Sequence, residues 1–484
     1  MARLGAAAVV VLLFSGSAWA VTVGDAVTTL DAAQDELTYD DVAREVLDLA
    51  LSGAPALETG IQAVSFTPSE AIPLAGILHV ETDESTVVTV SVAGPNGLRD
   101  LPPTAERGAT PALAHEVLVA GLRADTRYDL FVTARDPGNG AVAVEVCVNY
   151  TTPPLPAVVP TPRVLVRDPD RMAPGYTLFS LAGSAVNNLG LILIVDDEGQ
   201  VVWYRYGTNL TFLDDVRQRA NGNLLFVGSG LGCPGEPLGS HAAVEVDLLG
   251  EVQWEVRDCD LGVPVLHHEI YEKADGNFLT LSAELRKIGV ERLVGDVLVE
   301  FTPAGEVVNE ISTHDLFPIG RRPKPYELLF GFWLGEFGLG ALDWTHGNAI
   351  IEDPRDGTYI ASFRNLDITA KITPEGALRW VLAADNPDTE ADDALPFLTL
   401  IGDGSVPSHQ HAPQLLPNGH LLIYDNGVAT VTTRVVEYEI DEDAMTARQV
   451  WEWVDPDYDP PLFGLFVGDA DMTDAGTVLV CDGG

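Results

Sequence analysis

Ten histidines are spread along the chain, and three of them share one position of an internal repeat. A turn followed by a strand recurs as Asn221-Gly222-Asn223-Leu224-Leu225, Asp275-Gly276-Asn277-Phe278-Leu279, Asp356-Gly357-Thr358-Tyr359-Ile360, Asn418-Gly419-His420-Leu421-Leu422 and Ala475-Gly476-Thr477-Val478-Leu479. Eight residues before the glycine stand Asp214, His268 and His411 in three of these copies. The turn at Gly357 is about three residues longer, and eleven residues before it stands His346. Equivalent positions in successive repeats lie at equivalent radius and height. If these residues open the innermost strands of a repeat array, His268, His346 and His411 converge on one axis. A lone strand histidine is usually structural, whereas three at one repeat position argue for chemistry.

That chemistry is nucleophilic or acid–base. A neutral imidazole is a good nucleophile near pH 7 and passes protons in the same range. Arg364 follows in Ile360-Ala361-Ser362-Phe363-Arg364-Asn365, on the strand after His346. Beside three imidazoles it supplies a fixed positive charge for a planar or tetrahedral oxyanion. Asn348, two residues after His346, falls on the same face by strand alternation. Asn426, in Asp425-Asn426-Gly427, reads as a turn residue. His267 and His409 are out of phase with the repeat and rank lower. Three convergent histidines could instead hold zinc and activate water, as in a metal-dependent hydrolase; Arg364 beside them opposes that, since a cation disfavours a second cation. A non-catalytic propeller serving as a binding scaffold is a third reading, because fold does not dictate function.

The elements that must position these residues are strands. The chain has 484 residues, 46 of them Gly and 32 Pro, a turn-dense composition that favours many short strands. A second unit alternates with the first: Gly199-Gln200-Val201-Val202-Trp203, Gly250-Glu251-Val252-Gln253-Trp254 and Gly376-Ala377-Leu378-Arg379-Trp380, with Gly305-Glu306-Val307-Val308 as a weaker copy. Two hairpins per ~50–60 residues is what a four-stranded propeller blade needs, and the copies suggest about six blades. The widest interval holds an insertion at 317–339, expected as a lid over one mouth of the channel. Upstream, 59–156 reads as a β-sandwich, with Val87-Val88-Thr89-Val90-Ser91-Val92 as a typical strand. Its Leu122-Arg123-Ala124-Asp125-Thr126-Arg127-Tyr128 segment resembles the tyrosine corner of fibronectin type III domains, with Ala124 where Pro is usual. Pro153-Pro154-Leu155-Pro156 is a stiff linker. The expected order is therefore a fibronectin-III-like β-sandwich followed by a six-bladed β-propeller over 157–484, an all-β protein.

Residues 1–20 read as an export signal: Arg3, an apolar run from Ala6 to Phe14, and an Ala18-Trp19-Ala20 cleavage site. Residues 21–58 carry a short amphipathic helix at 39–52. A periplasmic or secreted protein is expected. Export permits a disulfide, and Cys233 with Cys259 is the most plausible pair because both fall within one repeat unit. With 72 acidic against 27 basic residues, the net charge of −45 opposes a nucleic-acid partner and a polybasic membrane anchor. No stretch of ~20 apolar residues follows the signal, so membrane insertion is not expected.

From about residue 170 onward the chain resembles the bacterial arylsulfate sulfotransferase family, a six-bladed propeller with an N-terminal β-sandwich. The segments that carry the resemblance are His267-His268-Glu269, Asp343-Trp344-Thr345-His346-Gly347-Asn348, Ser362-Phe363-Arg364-Asn365, Gln410-His411 with Asp425-Asn426-Gly427, and Gly468-Asp469-Ala470 running to Asp482-Gly483-Gly484. It implies transfer of a sulfuryl group from a phenolic sulfate donor to a phenol acceptor, with no nucleotide cofactor and no metal. It implies that His411 is transiently sulfated, that His268, His346 and Arg364 hold the sulfuryl oxygens or move protons, and that Asn348 supports substrate binding. The family includes dimers, so the resemblance allows a homodimer. The family pattern continues past a segment like Asp482-Gly483-Gly484, so either a fragment or an incomplete closing blade is expected here.

Overall fold

A computed structural model describes residues 60–483, apart from 96, 102–110, 139, 141, 182–189, 208–212, 230–232, 234–240, 324–331 and 385–391. The expected signal at 1–20 and the helix at 39–52 lie outside the described residues. The chain divides into two compact units, one of Met1–Arg163 with Ile194–Tyr204 and Leu248–Gly250, the other of the remainder.

The first unit is organised by one long strand, Gly76–Gly94. Its first half pairs with Ile61–Pro68 and Ala112–Val119; its second half pairs with Arg127–Arg135 and Gly97–Asp100. Alternation in the sequence, as in Val88, Val90 and Val92, sends one face inward. There it packs on Leu78, Val117, Leu130 and Val132. The Tyr128 hydroxyl accepts a hydrogen bond from the Arg123 backbone N–H at 2.8 Å, the tie that the Leu122–Tyr128 segment predicts.

The second part of the chain is a succession of mainly antiparallel sheets, six from Thr177 onward among the described residues. They hold three, four, five, four, five and two strands among the described residues. The first strands of the sheets after the three-stranded one are Leu213–Gln218, His267–Glu272, Gly347–Asp353, His411–Leu415 and Asp469–Met472. Each contacts the next in this order. Arg217 on the first of them feels the charges of Asp469 and Asp471 on the last. This is the expected propeller, and the repeat units map onto its blades.

The second repeat unit explains how neighbouring blades are fastened. The indole N–H of Trp203 donates to the Leu248 carbonyl at 3.0 Å, and that of Trp254 to the Pro303 carbonyl at 2.7 Å, each in a turn of the following sheet. At the same position of the weaker copy stands Asn309, whose carboxamide donates to the Pro374 carbonyl at 2.7 Å. The copy that looked degenerate keeps the bond with a different side chain. Trp380 breaks the pattern, because its buried N–H has no partner among the described residues. Cys233 and Cys259 are joined in a disulfide, Cα atoms 6.2 Å apart, as the sequence led us to expect.

Candidate active site

His268, His346 and His411 all stand at the start of inner strands, and at each the ladder slips. The register shifts between His267 and Ile270, between Gly347 and Ala349, and between His411 and Gln414. The same slip falls between Leu213 and Val216, on the strand that carries Asp214. A bulge leaves an extra residue unpaired and re-aims its side chain. The backbone pays for this with left-handed conformations at His268 (φ 62°) and His346 (φ 49°), uncommon for residues with a Cβ. Such strain, of order 1–3 kcal/mol each, persists only where the surroundings impose it.

The side chains converge as the repeat phase predicts. The rings of His268 and His346 lie 5.1 Å apart, edge to face. The His268 ring is held well below the usual histidine range, first by burial, then by His267, His346, His411 and Arg364. His411 is pushed down to about 3 by burial; the Asn426 hydrogen bond opposes this, and the charges of Arg364 and His346 add to it. Arg364 opens a short 3-10 turn at the end of strand Thr358–Phe363, where its N–H donates to the His346 carbonyl at 3.0 Å. Its guanidinium donates to Asn365 Oδ1 at 2.7 Å and lies over the Phe466 ring, 4.9 Å from the centroid.

Each ring is oriented through Nδ1, with hydrogens assigned from the partners. His346 Nδ1 lies 2.5 Å from Asp343 Oδ2. Burial alone would raise the Asp343 carboxyl, but the charge and hydrogen bond of His346, the Trp333 N–H and Arg364 hold it below the carboxylate range. His411 Nδ1 faces two acceptors, Asn426 Oδ1 at 2.6 Å and the His409 carbonyl at 3.0 Å. That nitrogen therefore carries the hydrogen of the neutral ring, and Nε2 keeps the lone pair.

Asn348 does not follow simple alternation from His346, because the bulge lies between them. Its carboxamide donates to the Gln410 carbonyl at 2.8 Å, one residue before His411, and its buried Oδ1 has no hydrogen-bond partner among the described residues. Asn426, read from sequence as a turn residue, is the acceptor that orients His411. Asp343 and Trp333 were also missed: the first lies three residues before His346, a spacing with no periodic signal, and the second lies in the insertion. His267, ranked low, contacts His268; His409 is fastened to Asp367 by its ring at 2.7 Å. The insertion at 317–339 reaches the site through Phe332, whose ring lies 4.7 Å from that of His346 and 5.7 Å from that of His268.

Among the described residues, the group of three His, Cys, Asp or Glu that brings its ligand atoms within 4.8 Å of one another is Cys233, Asp258 and Cys259, where the cysteines are bridged. No helix among the described residues is long and apolar enough to cross a membrane.

Residues 165–484 match the family described as Arylsulfotransferase (ASST). A curated relative, arylsulfate sulfotransferase AssT of Escherichia coli, is 26% identical across 54% of this chain and 52% of its own length. The chain thus spans about half the length of the curated relative it matches. Among solved structures, a structural-genomics protein of unknown function from Bacteroides thetaiotaomicron matches at TM-score 0.30 and 11% identity, over 82% of this chain and 88% of that one. Dihydro-heme d1 dehydrogenase NirN matches at TM-score 0.30 and 11% identity, over 84% and 67%. Superpositions at that level say nothing about shared chemistry.

Proposed function

The chain belongs to the arylsulfotransferase family, and from that premise we propose that it moves a sulfuryl group from a phenolic sulfate ester to a phenol through a sulfated His411. The observation that carries this reading is the double acceptor on His411 Nδ1, which leaves Nε2 of a buried neutral ring as nucleophile beside Arg364. In the first half-reaction Nε2 attacks sulfur and the S–O bond to the aryl group breaks. The phenolate leaves and takes its proton from solvent. In the second, an acceptor phenol gives its proton to an imidazole, its oxygen takes the sulfur, and the S–N bond breaks to restore neutral His411. Arg364 offsets the charge spread over the sulfuryl oxygens. Asp343 supports His346 when that ring takes a proton, and Asn348 holds the main chain that presents His411. The exposed edges of Phe332 and Phe466 suit an aryl ring beside the histidines.

The same reading places the protein in the periplasm or outside the cell, exported by the signal at 1–20. The fibronectin-III-like assignment of the first unit rests on its tyrosine corner. The direct test is incubation with 4-nitrophenyl sulfate, with and without added phenol. Sulfated phenol formed in proportion to nitrophenol released supports a transferase. Release that ignores the phenol supports a sulfatase, and loss of activity on chelation would bring back the metal hydrolase.

A further inference from the structure

His267 has no part in the steps above, yet both of its ring nitrogens are engaged. It is 3% exposed, packs edge-on against Trp333 at 5.2 Å, and is pushed down to about 3, first by burial and against its bond to Ser282. Its Nε2 lies 3.2 Å from the Ser282 carbonyl and 3.4 Å from Asp296 Oδ1. A carbonyl oxygen can only accept, so Nε2 carries the single hydrogen of this neutral ring and Nδ1 keeps its lone pair. That lone pair faces Nδ1 of His268 at 2.9 Å. Two lone pairs do not meet at a hydrogen-bond distance, so the hydrogen between the two rings belongs to His268. The chain of donors runs from His268 Nδ1–H to His267 Nδ1, and from His267 Nε2–H to Ser282.

We infer that His267 is a positioning residue that fixes His268 as the Nδ1–H tautomer, so that His268 serves sulfuryl transfer as a proton acceptor through Nε2 rather than as an N–H donor to the sulfuryl oxygens. This deepens the proposed function and rests on it. As the acceptor phenol oxygen bonds to sulfur and the bond from sulfur to His411 breaks, the phenol proton passes to His268 Nε2. The imidazolium so formed keeps its Nδ1–H on His267, and no group rearranges. The imidazolium then releases this proton to solvent, so each full cycle returns His268 to its starting neutral state. The charged and titratable groups around the two rings are His346, His411, Arg364 and His241 on one side of the balance and Asp343 and Asp296 on the other. The two carboxyl groups, with the bound sulfuryl group, offset the transient positive charge.

Two replacements separate this role from packing. Asn at 267 offers a carboxamide oxygen near the place of Nδ1 and still accepts from His268. Gln at 267 reaches instead toward the place of Nε2 and withdraws the acceptor that His267 offers His268. His267→Gln should lower kcat with 4-nitrophenyl sulfate and phenol by ~10²-fold with little change in KM, as expected when a reacting group is misplaced. His267→Asn should recover at least roughly tenfold of that loss. Histidine-selective 15N NMR of the wild-type protein, assigned with His268→Asn, should read a protonated Nδ1 and an unprotonated Nε2 for His268 at pH 7 without any substrate. That measurement stands whether or not the enzyme turns over aryl sulfates, and a wild type with no turnover would count against the proposed function alone. A His268 found in the Nε2–H form, or equal losses in His267→Gln and His267→Asn, would overturn the inference.

Discussion

Asn426 Oδ1 sits 2.6 Å from Nδ1 of His411, fifteen residues earlier in the chain. Asn426 is itself fixed, since its amide donates to the Gly464 carbonyl at 3.0 Å and the Val467 carbonyl at 2.9 Å. Its oxygen is therefore the end that faces the ring, and the ring is set with Nε2 as its basic nitrogen. Asn426→Leu removes one of the two acceptors on Nδ1 and should slow donor cleavage by ~10²-fold while leaving the fold intact. Asn426→Asp should act differently. A carboxylate stabilises the protonated ring, so the pH below which His411 stops cleaving donor should move up from its wild-type value near 3. Single-turnover rates of nitrophenol release against pH read both effects.

The low proton affinity of His411 also has a stability signature. In the unfolded chain an ordinary histidine binds its proton below about pH 6.5, whereas folded His411 does so only near 3. Between those values the unfolded state holds more protons, so this group's contribution is present above 6.5 and is lost as the pH falls toward 3. The slope is at most roughly 1.4 kcal/mol per pH unit. His411→Asn removes this term. The melting temperature of the variant minus that of the wild type should therefore rise as the pH is lowered from 7 to 4. Parallel curves would show that His411 is not held neutral by the fold.

Much of this site could be read before any fold was known, and the parts that could not share a cause. The repeat phase alone brought His268, His346 and His411 together, because a repeated turn fixes the distance from glycine to the start of each inner strand. The bulges at those starts carry no such signal. They depend on a left-handed backbone at His268 and His346, a conformation that histidine adopts more often than most residues but too rarely to be read from sequence. Alternation therefore misplaced Asn348, whose amide serves the Gln410 carbonyl. Asn426 lies after the second strand of its blade and looked like turn chemistry, since an Asp-Asn-Gly segment is common in turns whatever its side chains touch. In the blades, the substitution of Trp by Asn309 hid a conserved bond, because a carboxamide and an indole reach the same neighbouring turn with different shapes.

The blade seams give a stability prediction of their own. Trp203 and Trp380 are each 2% exposed, but only Trp203 satisfies its N–H, on the Leu248 carbonyl. Replacing either by Phe loses a similar volume. Trp203→Phe should cost about 1 kcal/mol more than Trp380→Phe, the net worth of one hydrogen bond. Urea midpoints of the two variants compare them directly, and an equal cost would mean that the seam bond contributes nothing.

The central claim is that the sulfuryl group passes through His411. The most direct measurement mixes the enzyme with 4-nitrophenyl sulfate in the absence of any acceptor, quenches at alkaline pH and maps the peptides by mass spectrometry. The account predicts one added sulfuryl group on the peptide that contains His411, labile in acid because a protonated ring is a leaving group, discharged by added phenol and absent from His411→Asn. An unmodified His411 peptide in an enzyme that still transfers to phenol, or the group on any other residue, would contradict it.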